Sequence, residues 1–295
     1  MMPPLPDIEG VAPSRQRLPA GPWKTVLDFL TERFPAVGAA AWVSRMARGQ
    51  VADEAGRTVT PDSRYRAGGT VYYYREPPPE IPVPFEERIV YRDEHVLVAD
   101  KPHFLPVIPA GRFLRETLLV RLRRRPGLED LAPAHRLDRE TAGLVLFSVN
   151  PATRGAYASL FQERRVRKTY EALARPISSH TFPLTRRSRI VPGEPFFTMK
   201  EGEGEANAET RVELLRAGDD VSLYRLIPVT GRKHQLRVHL AALGAPILND
   251  RLYPEVRPEE EEEDYSRPLK LLAKSLAFRD PLDGRERLFE SVREL

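Results

Sequence analysis

Five prolines fall between residues 76 and 84, and a segment so poor in backbone N–H donors can neither continue a sheet nor sit inside a helix. The chain must therefore fold as two units on either side of a stiff linker, placed here at residues 76–85. Its 295 residues exceed a typical domain, which fits one large unit and one small one. Upstream, Pro3, Pro4, Pro6, Pro13 and Pro19 with little hydrophobic periodicity predict a flexible or extended tail over residues 1–21. From Trp23 the texture changes. Val26, Leu27, Leu30 and Phe34 recur at helical spacing, Trp42, Val43 and Met46 do so again before Gly49, and β-rich pieces follow as far as Tyr74. Residues 22–75 thus read as a small α/β unit.

The larger unit, residues 86–295, opens with two β-rich runs around a polar turn, Ile89-Val90-Tyr91 and Val96-Leu97-Val98-Ala99-Asp100-Lys101-Pro102, which predict a hairpin. Leu118, Leu119 and Leu122 predict a helix whose other face carries Arg121, Arg123 and Arg124, either solvated or available to phosphate. The most informative stretch is Ala134-His135-Arg136-Leu137-Asp138-Arg139-Glu140-Thr141-Ala142-Gly143, followed at once by Leu144-Val145-Leu146-Phe147. A turn-forming segment with a short carboxylate between two arginines, set before a buried-strand pattern, holds Asp138 at the rim of a core. Locally this is either an Asx-turn with solvated arginines or a place for chemistry.

Beyond the strand, Asn150-Pro151 predicts a helix start, and Tyr157, Leu160 and Phe161 an apolar stripe. Residues 166–174 alternate as a strand and put Lys168 and Tyr170 on one face. Residues 181–209 show no clear period and read as a long loop, whereas residues 211–215 and 221–227 read as an antiparallel pair. Residues 230–244 read as a helix capped near Thr230 and stopped by Gly244, with Leu236, Leu240 and Leu243 toward the core. In its first turn Arg232 and Lys233 would oppose the helix dipole at about 0.3–1 kcal/mol each, a pattern consistent with a bound anion or with plain solvated side chains. His234 and His239 stand five apart with no third ligand nearby, so a zinc site is not expected. Residues 269–278 read as a closing strand.

Forty-six Lys and Arg face 42 Asp and Glu, yet six of those acids lie together at residues 259–264, read as a solvated loop, and outside it the 46 basic residues face 36 acidic ones. A basic surface of this kind favours a polyanionic partner. There is no cysteine, which excludes disulfides and thiolate metal sites and fits a reducing cytosol. No apolar run approaches the roughly 18 residues needed to span a bilayer, so the expected location is cytoplasmic.

Three segments carry a resemblance. His135-Arg136-Leu137-Asp138, with Thr141, Gly143 and Leu144, looks like the catalytic motif of the RluA family of pseudouridine synthases, with Ala142 where the family usually has Ser. Lys168-Thr169-Tyr170 is similar to the family's second motif. The run from Gly231 through His234-Gln235-Leu236-Arg237-Val238-His239-Leu240 to Tyr253 is similar to its third, with Ala245, Asn249 and later Leu272 departing from the usual residues.

The resemblance implies an α+β fold, a mixed and mainly antiparallel central sheet with flanking helices, and an enzyme that breaks the uridine N1–C1′ bond and rejoins the base through C5. It implies Asp138 as the nucleophile or the base that starts cleavage, Arg237 as its partner, and Tyr170 against the target base. Arg136 would fill the space of an extruded uridine, and His135, Lys168, Arg232, Lys233 and Leu236 would complete the substrate site. No cofactor or metal is implied; the partner is RNA, ribosomal RNA being favoured over transfer RNA, and the expected state is a monomer. Residues 22–75 resemble an S4-like RNA-binding domain whose basic helix residues are reduced to Arg45 and Arg48. The competing readings are an RNA-binding scaffold without turnover and a glycoside hydrolase built on Asp138 and Glu140, whose carboxylates would have to flank one bond.

Overall fold

The structure, a computed structural model, describes residues 4–76, 79–258 and 263–295, and the chain divides into two compact units, Met1–Glu80 with Gly111–Arg115, and Ile81–Ala110 with Glu116–Leu295. Among the described residues no helix is long and apolar enough to cross a membrane.

In the smaller unit, helices α1 (Val26–Arg33) and α2 (Ala39–Ala47) pack on a three-stranded sheet of β1 (Ser14–Arg17), β3 (Thr70–Tyr73) and β2 (Val51–Asp53). The helix stripes deliver Val26, Phe29, Leu30, Trp42 and Met46 to a core closed by Val51, Val71 and Tyr73. Thr25 and Asp28 form a reciprocal capping box at the start of α1. The stretch expected to be a flexible tail is corrected from residue 14 onward: β1 pairs with β3, and Leu18 is buried behind it. Ser14-Arg15-Gln16-Arg17 is held by backbone bonds along a sheet edge, and hydropathy carries no trace of that. Pro77 and Pro78 of the expected linker lie outside the described residues. Past them the linker reading ends early, because Val83 is buried in the larger unit's core.

The larger unit is an α+β fold built on one eleven-stranded sheet. Its strands are β4 (Arg88–Arg92), β5 (Val96–Lys101), β6 (Ala132–Pro133), β7 (Ala142–Ser148), β8 (Arg167–Ala174), β9 (Leu184–Pro192), β10 (Met199–Gly202), β11 (Ala208–Arg216), β12 (Ser222–Pro228), β13 (Leu271–Arg279) and β14 (Glu286–Glu290). The order is β10-β9-β11-β12-β8-β13-β7-β5-β4, with β14 beside β13 and β6 beside β7. Among the described strand pairs only β7 with β13 is parallel, over two residues. The sheet is therefore mixed and mainly antiparallel.

All seven residues of β7 are buried, because both faces are covered. Val145 and Phe147 pack with Leu118 and Leu122 of α3 (Leu118–Arg123), while Leu144 and Leu146 pack with Tyr157 and Leu160 of α4 (Arg154–Gln162). Each such side chain contributes about 1.5–3 kcal/mol by burial, so this strand's register is strongly specified. Farther along, Leu236 and Leu240 of α5 (Gln235–Ala242) pack on Ala172, Ala174, Val212 and Leu226.

Several expectations are corrected. Residues 184–202 are not a loop but the β9–β10 hairpin, at the sheet edge. An Arg186–Glu201 ion pair ties its two strands and Arg187–Glu209 ties β9 to β11, in place of apolar alternation, which is why no strand period shows in the sequence. Helix α4 begins three residues after Pro151, since Asn150 starts a turn in which its side chain accepts from the N–H of Ala152. Helix α5 begins at Gln235, because His234 adopts a left-handed backbone at φ 56° and cannot continue a helix. Arg232 and Lys233 thus precede the helix and do not occupy its first turn. The arginines on α3 face protein: Arg121 donates to the carbonyls of Phe85 and Val83 and pairs with Glu116, and Arg123 donates to the carbonyl of Leu131. Of the acidic run, residues 259–262 lie outside the described residues, while Glu263 is no solvated group. It pairs with Arg139 at 2.6 Å and with Arg251 at 3.3 Å.

Candidate active site

Asp138 stands on the loop between β6 and β7, and that loop is held by its backbone. Lys101, fully buried at the end of β5, donates from Nζ to the carbonyls of Pro102, Leu105 and Arg139. His103 Nδ1 donates to the carbonyl of Glu140 at 2.6 Å, and the N–H of Thr141 donates to that of Asp138. His135 accepts the N–H of Leu146 at Nε2 and stacks on Phe161 at 4.4 Å. Burial pushes its pKa down to about 3, with Lys168 adding to the effect, so the ring is neutral and structural and cannot act as a cation toward RNA. Leu137 is buried in the core beside it.

The glycine of this motif has a steric cause. Gly143 lies where β7 runs parallel to β13, at φ 110°, and a Cβ there would come 2.3 Å from the carbonyl oxygen of Ala273. Only a residue without a side chain permits that approach. It is what brings the start of β7, and the loop before it, against β13.

With the loop anchored through its main chain, the Asp138 carboxylate is left open. Its side chain is 22% exposed, and among the described residues neither oxygen accepts a hydrogen bond. The Asx-turn reading therefore fails. The basic nitrogens within ion-pair distance, among the described residues, are Arg237 Nη1, 3.6 Å from Oδ2, and His234 Nε2, 3.8 Å from Oδ1.

Arg237 was expected to pair with Asp138; its Nη1 lies within ion-pair distance of that carboxylate, at 3.6 Å, while its hydrogen-bonding fork closes on another acid. The guanidinium, 1% exposed, sets Nε and Nη2 on Asp250 at 2.8 and 2.6 Å in a forked geometry. Asp250 also accepts the backbone N–H groups of Leu252 and Tyr253, and the Tyr253 ring lies 5.3 Å from the guanidinium carbon. Only Nη1 remains, buried and without a hydrogen bond, within 3.6 Å of Asp138 and 3.5 Å of Glu140. A buried N–H with no acceptor is costly, and two carboxylates at its margin offset that cost electrostatically. Asp138 and Glu140 crowd the same nitrogen from one side, which does not suit two groups that must flank a glycosidic bond. Asp250 lies within the third motif's run to Tyr253, yet its pairing with an arginine thirteen positions earlier is identified only by the fold.

Tyr170 sits mid-sheet on β8, paired with Leu226 and Ala273, where two apolar clusters meet. Burial first, and the charge of Asp138 second, push its hydroxyl pKa upward, so it is a neutral phenol. Lys168, one face-repeat away, is partly buried with its pKa lowered by burial.

All nine residues expected at the site line one cleft of about 520 Å³, although His135 contributes as scaffold. Arg136 is exposed at its rim with no protein partner among the described residues, as is Arg164, which the sequence reading missed. Arg232 donates to the carbonyl of Asn207 and Lys233 to that of Phe197, so both line the cleft while tied to backbone. The arrangement is an open carboxylate backed by a buried cation, a phenol beside it, and a basic rim. That suits attack on, or proton removal from, a polyanionic substrate placed over Tyr170.

A family model described as RNA pseudouridylate synthase matches residues 95–242. The chain is 33% identical to the "Uncharacterized RNA pseudouridine synthase" of Synechocystis sp., over 77% of this chain and 79% of that one. It is 34% identical to the "Dual-specificity RNA pseudouridine synthase RluA" of Vibrio cholerae, over 65% of this chain and 77% of that one. Among solved structures, it is similar to the human "RNA Pseudouridylate Synthase Domain Containing 1", with a TM-score of 0.56 at 31% identity, covering 70% of this chain and 84% of that one.

Proposed function

The chain belongs to the RNA pseudouridylate synthase family, as an RluA-family RNA pseudouridine synthase, and from that premise we propose that Asp138 performs its chemistry, on uridines of ribosomal RNA. The observation that carries the role of Asp138 is its unbonded carboxylate, open to the cleft with Arg237 Nη1 3.6 Å behind it. A carboxylate engaged by backbone N–H groups would have to break those bonds to react; this one does not.

The other side chains divide the remaining work. Tyr170 packs on the uracil and keeps its proton until the C5 position is rearranged. Arg136, exposed and unpaired, takes the space vacated when the uridine leaves its stack, a step that costs a few kcal/mol in structured RNA. Lys168 and Arg164 meet phosphate from the cleft wall, and the basic rim gives the affinity its salt dependence. In the smaller unit Arg45 and Arg48 are both held by Glu76. RNA affinity therefore resides in the cleft, and the S4-like resemblance of that unit supports ribosomal RNA as the class of target without supplying the contacts.

The test is a map of pseudouridines in total RNA from cells with and without this protein. Loss of one or a few positions in ribosomal RNA is expected, restored by wild type and not by Asp138→Asn. Loss confined to transfer RNA would overturn the choice of target, and restoration by Asp138→Asn would overturn the role of Asp138.

A further inference from the structure

His234 stands behind Asp138, and the contacts behind His234 bear on which ring nitrogen carries its proton. The N–H of Met199 donates to the hydroxyl oxygen of Tyr253 at 2.8 Å, and the same hydroxyl lies 2.7 Å from His234 Nδ1. With Met199 donating to that oxygen, the phenol's own proton is free to go to Nδ1, and in that tautomer the imidazole proton sits on Nε2. Nε2 faces Asp138 Oδ1 at 3.8 Å. Tyr253 is fixed in turn, its backbone N–H on Asp250 and its ring against Arg237.

The imidazole side chain is 8% exposed, and burial lowers its pKa below the ordinary value, so at neutral pH it is an uncharged ring with one N–H to give. The charged groups around it are Asp138, Glu140, Arg237 and Lys233. Its backbone is left-handed at φ 56°, a conformation that Asn adopts more readily than His. A strained backbone at a site like this one persists where the surroundings gain from it.

We propose that His234 is a positioning residue: its Nε2–H, with the tautomer set by Tyr253, closes on Oδ1 of Asp138 when substrate fills the cleft, while Arg237 holds Oδ2. The carboxylate plane is then fixed before reaction. Contacts of this kind tighten on substrate binding, and 3.8 Å is within the reach of a small side-chain movement. The inference rests on Asp138 being the reactive group.

The two conservative replacements of His234 separate this role from a backbone role. The amide nitrogen of Gln reaches about where Nε2 stands, and that of Asn about where Nδ1 stands. If His234 matters only through its left-handed backbone, His234→Asn should be the better enzyme; if it matters through a donor to Asp138, His234→Gln should be. Single-turnover pseudouridine formation is measured at saturating protein on total RNA from cells lacking the protein. The expected rates are about tenfold below wild type for His234→Gln, and about a hundredfold or more below for His234→Asn, as for loss of a preorganised donor. Tyr253→Phe should run about tenfold slow, because Nδ1 loses the partner that sets the tautomer. His234→Asn equal to or faster than His234→Gln overturns the proposal, and so does Tyr253→Phe at the wild-type rate. Should His234→Gln not fold, Tyr253→Phe decides alone. Asp138→Asn runs in parallel: if it turns over, the reading of Asp138 falls and this inference with it, whereas a dead Asp138→Asn beside an unfavourable His234 order removes this inference only.

Discussion

On one wall of the cleft the loop bearing Asp138 is held by main-chain bonds: Lys101 and His103 donate to the carbonyls of Arg139 and Glu140, and the N–H of Leu146 donates to His135. On the other wall, residues 234–253 are held by side chains: the Arg237 fork on Asp250, and the Tyr253 hydroxyl on His234. The first arrangement leaves a carboxylate unbonded, and its fold does not depend on that carboxylate. The second spends its charges on one another inside the protein. Exchange of Asp138 should therefore remove activity alone, whereas exchange of a charged partner in the Arg237–Asp250 fork should remove stability as well.

The largest effect expected is on the first wall. Asp138→Asn should slow pseudouridine formation by about a thousandfold or more, since it removes the reactive group. Its unfolding free energy should stay within about 0.5 kcal/mol of wild type. A drop of several kcal/mol in urea unfolding would show that the carboxylate holds its loop, and the contrast between the walls would be lost.

On the second wall, Asp250→Ala leaves the buried guanidinium of Arg237 without its partner and should cost about 3–5 kcal/mol in the same unfolding measurement. A cost below about 1 kcal/mol would mean that Nη1 and its two carboxylates suffice, and that Asp250 is not the main anchor.

A smaller effect sharpens the comparison through pH. Burial lowers the pKa of His103 to about 4 and of His135 to about 3, so the folded first wall keeps both rings neutral. The unfolded chain protonates them near the ordinary value of about 6.5. Between pH 6.5 and 4 the unfolded state therefore binds more protons, and the contribution of these rings is complete above 6.5 and lost as pH falls through that window. Urea midpoints should decline from pH 7 to pH 5, and less so in the double variant His103→Gln with His135→Gln. An equal decline in that variant would assign the loss to other groups, such as His239 of α5, whose pKa burial also lowers to about 4.

The legible parts of the fold were those where burial writes a period into the chain. Helix α1, the β4–β5 hairpin, β7 and the strand holding Lys168 and Tyr170 all follow from spacing, because each presents an apolar face to a core. The illegible parts are edges and charge-stitched surfaces. Strand β1 and the β9–β10 hairpin have polar sequences whose pairing is satisfied by backbone bonds and cross-strand ion pairs, and neither leaves an apolar alternation to read. The left-handed residue at His234 was equally silent, since a basic run before an apolar stripe looks like a continuous helix until the backbone turns. The acidic run misled for a related reason: Glu263 faces two arginines that are remote in sequence.

The sequence by itself determined that the chain divides near its proline run, that an apolar strand follows Asp138, and that the motifs around Asp138, Tyr170 and Arg237 belong with one another. Those are statements about local pattern and residue identity, and neighbouring residues suffice to make them. Only the tertiary structure decided that the fork of Arg237 closes on Asp250, that His135 turns inward as scaffold, and that Asp138 keeps an unbonded carboxylate with His234 behind it. Partner choice for a charged group depends on distance and burial in three dimensions, and a buried guanidinium takes the acid that can satisfy two of its nitrogens at once, wherever in the chain that acid lies.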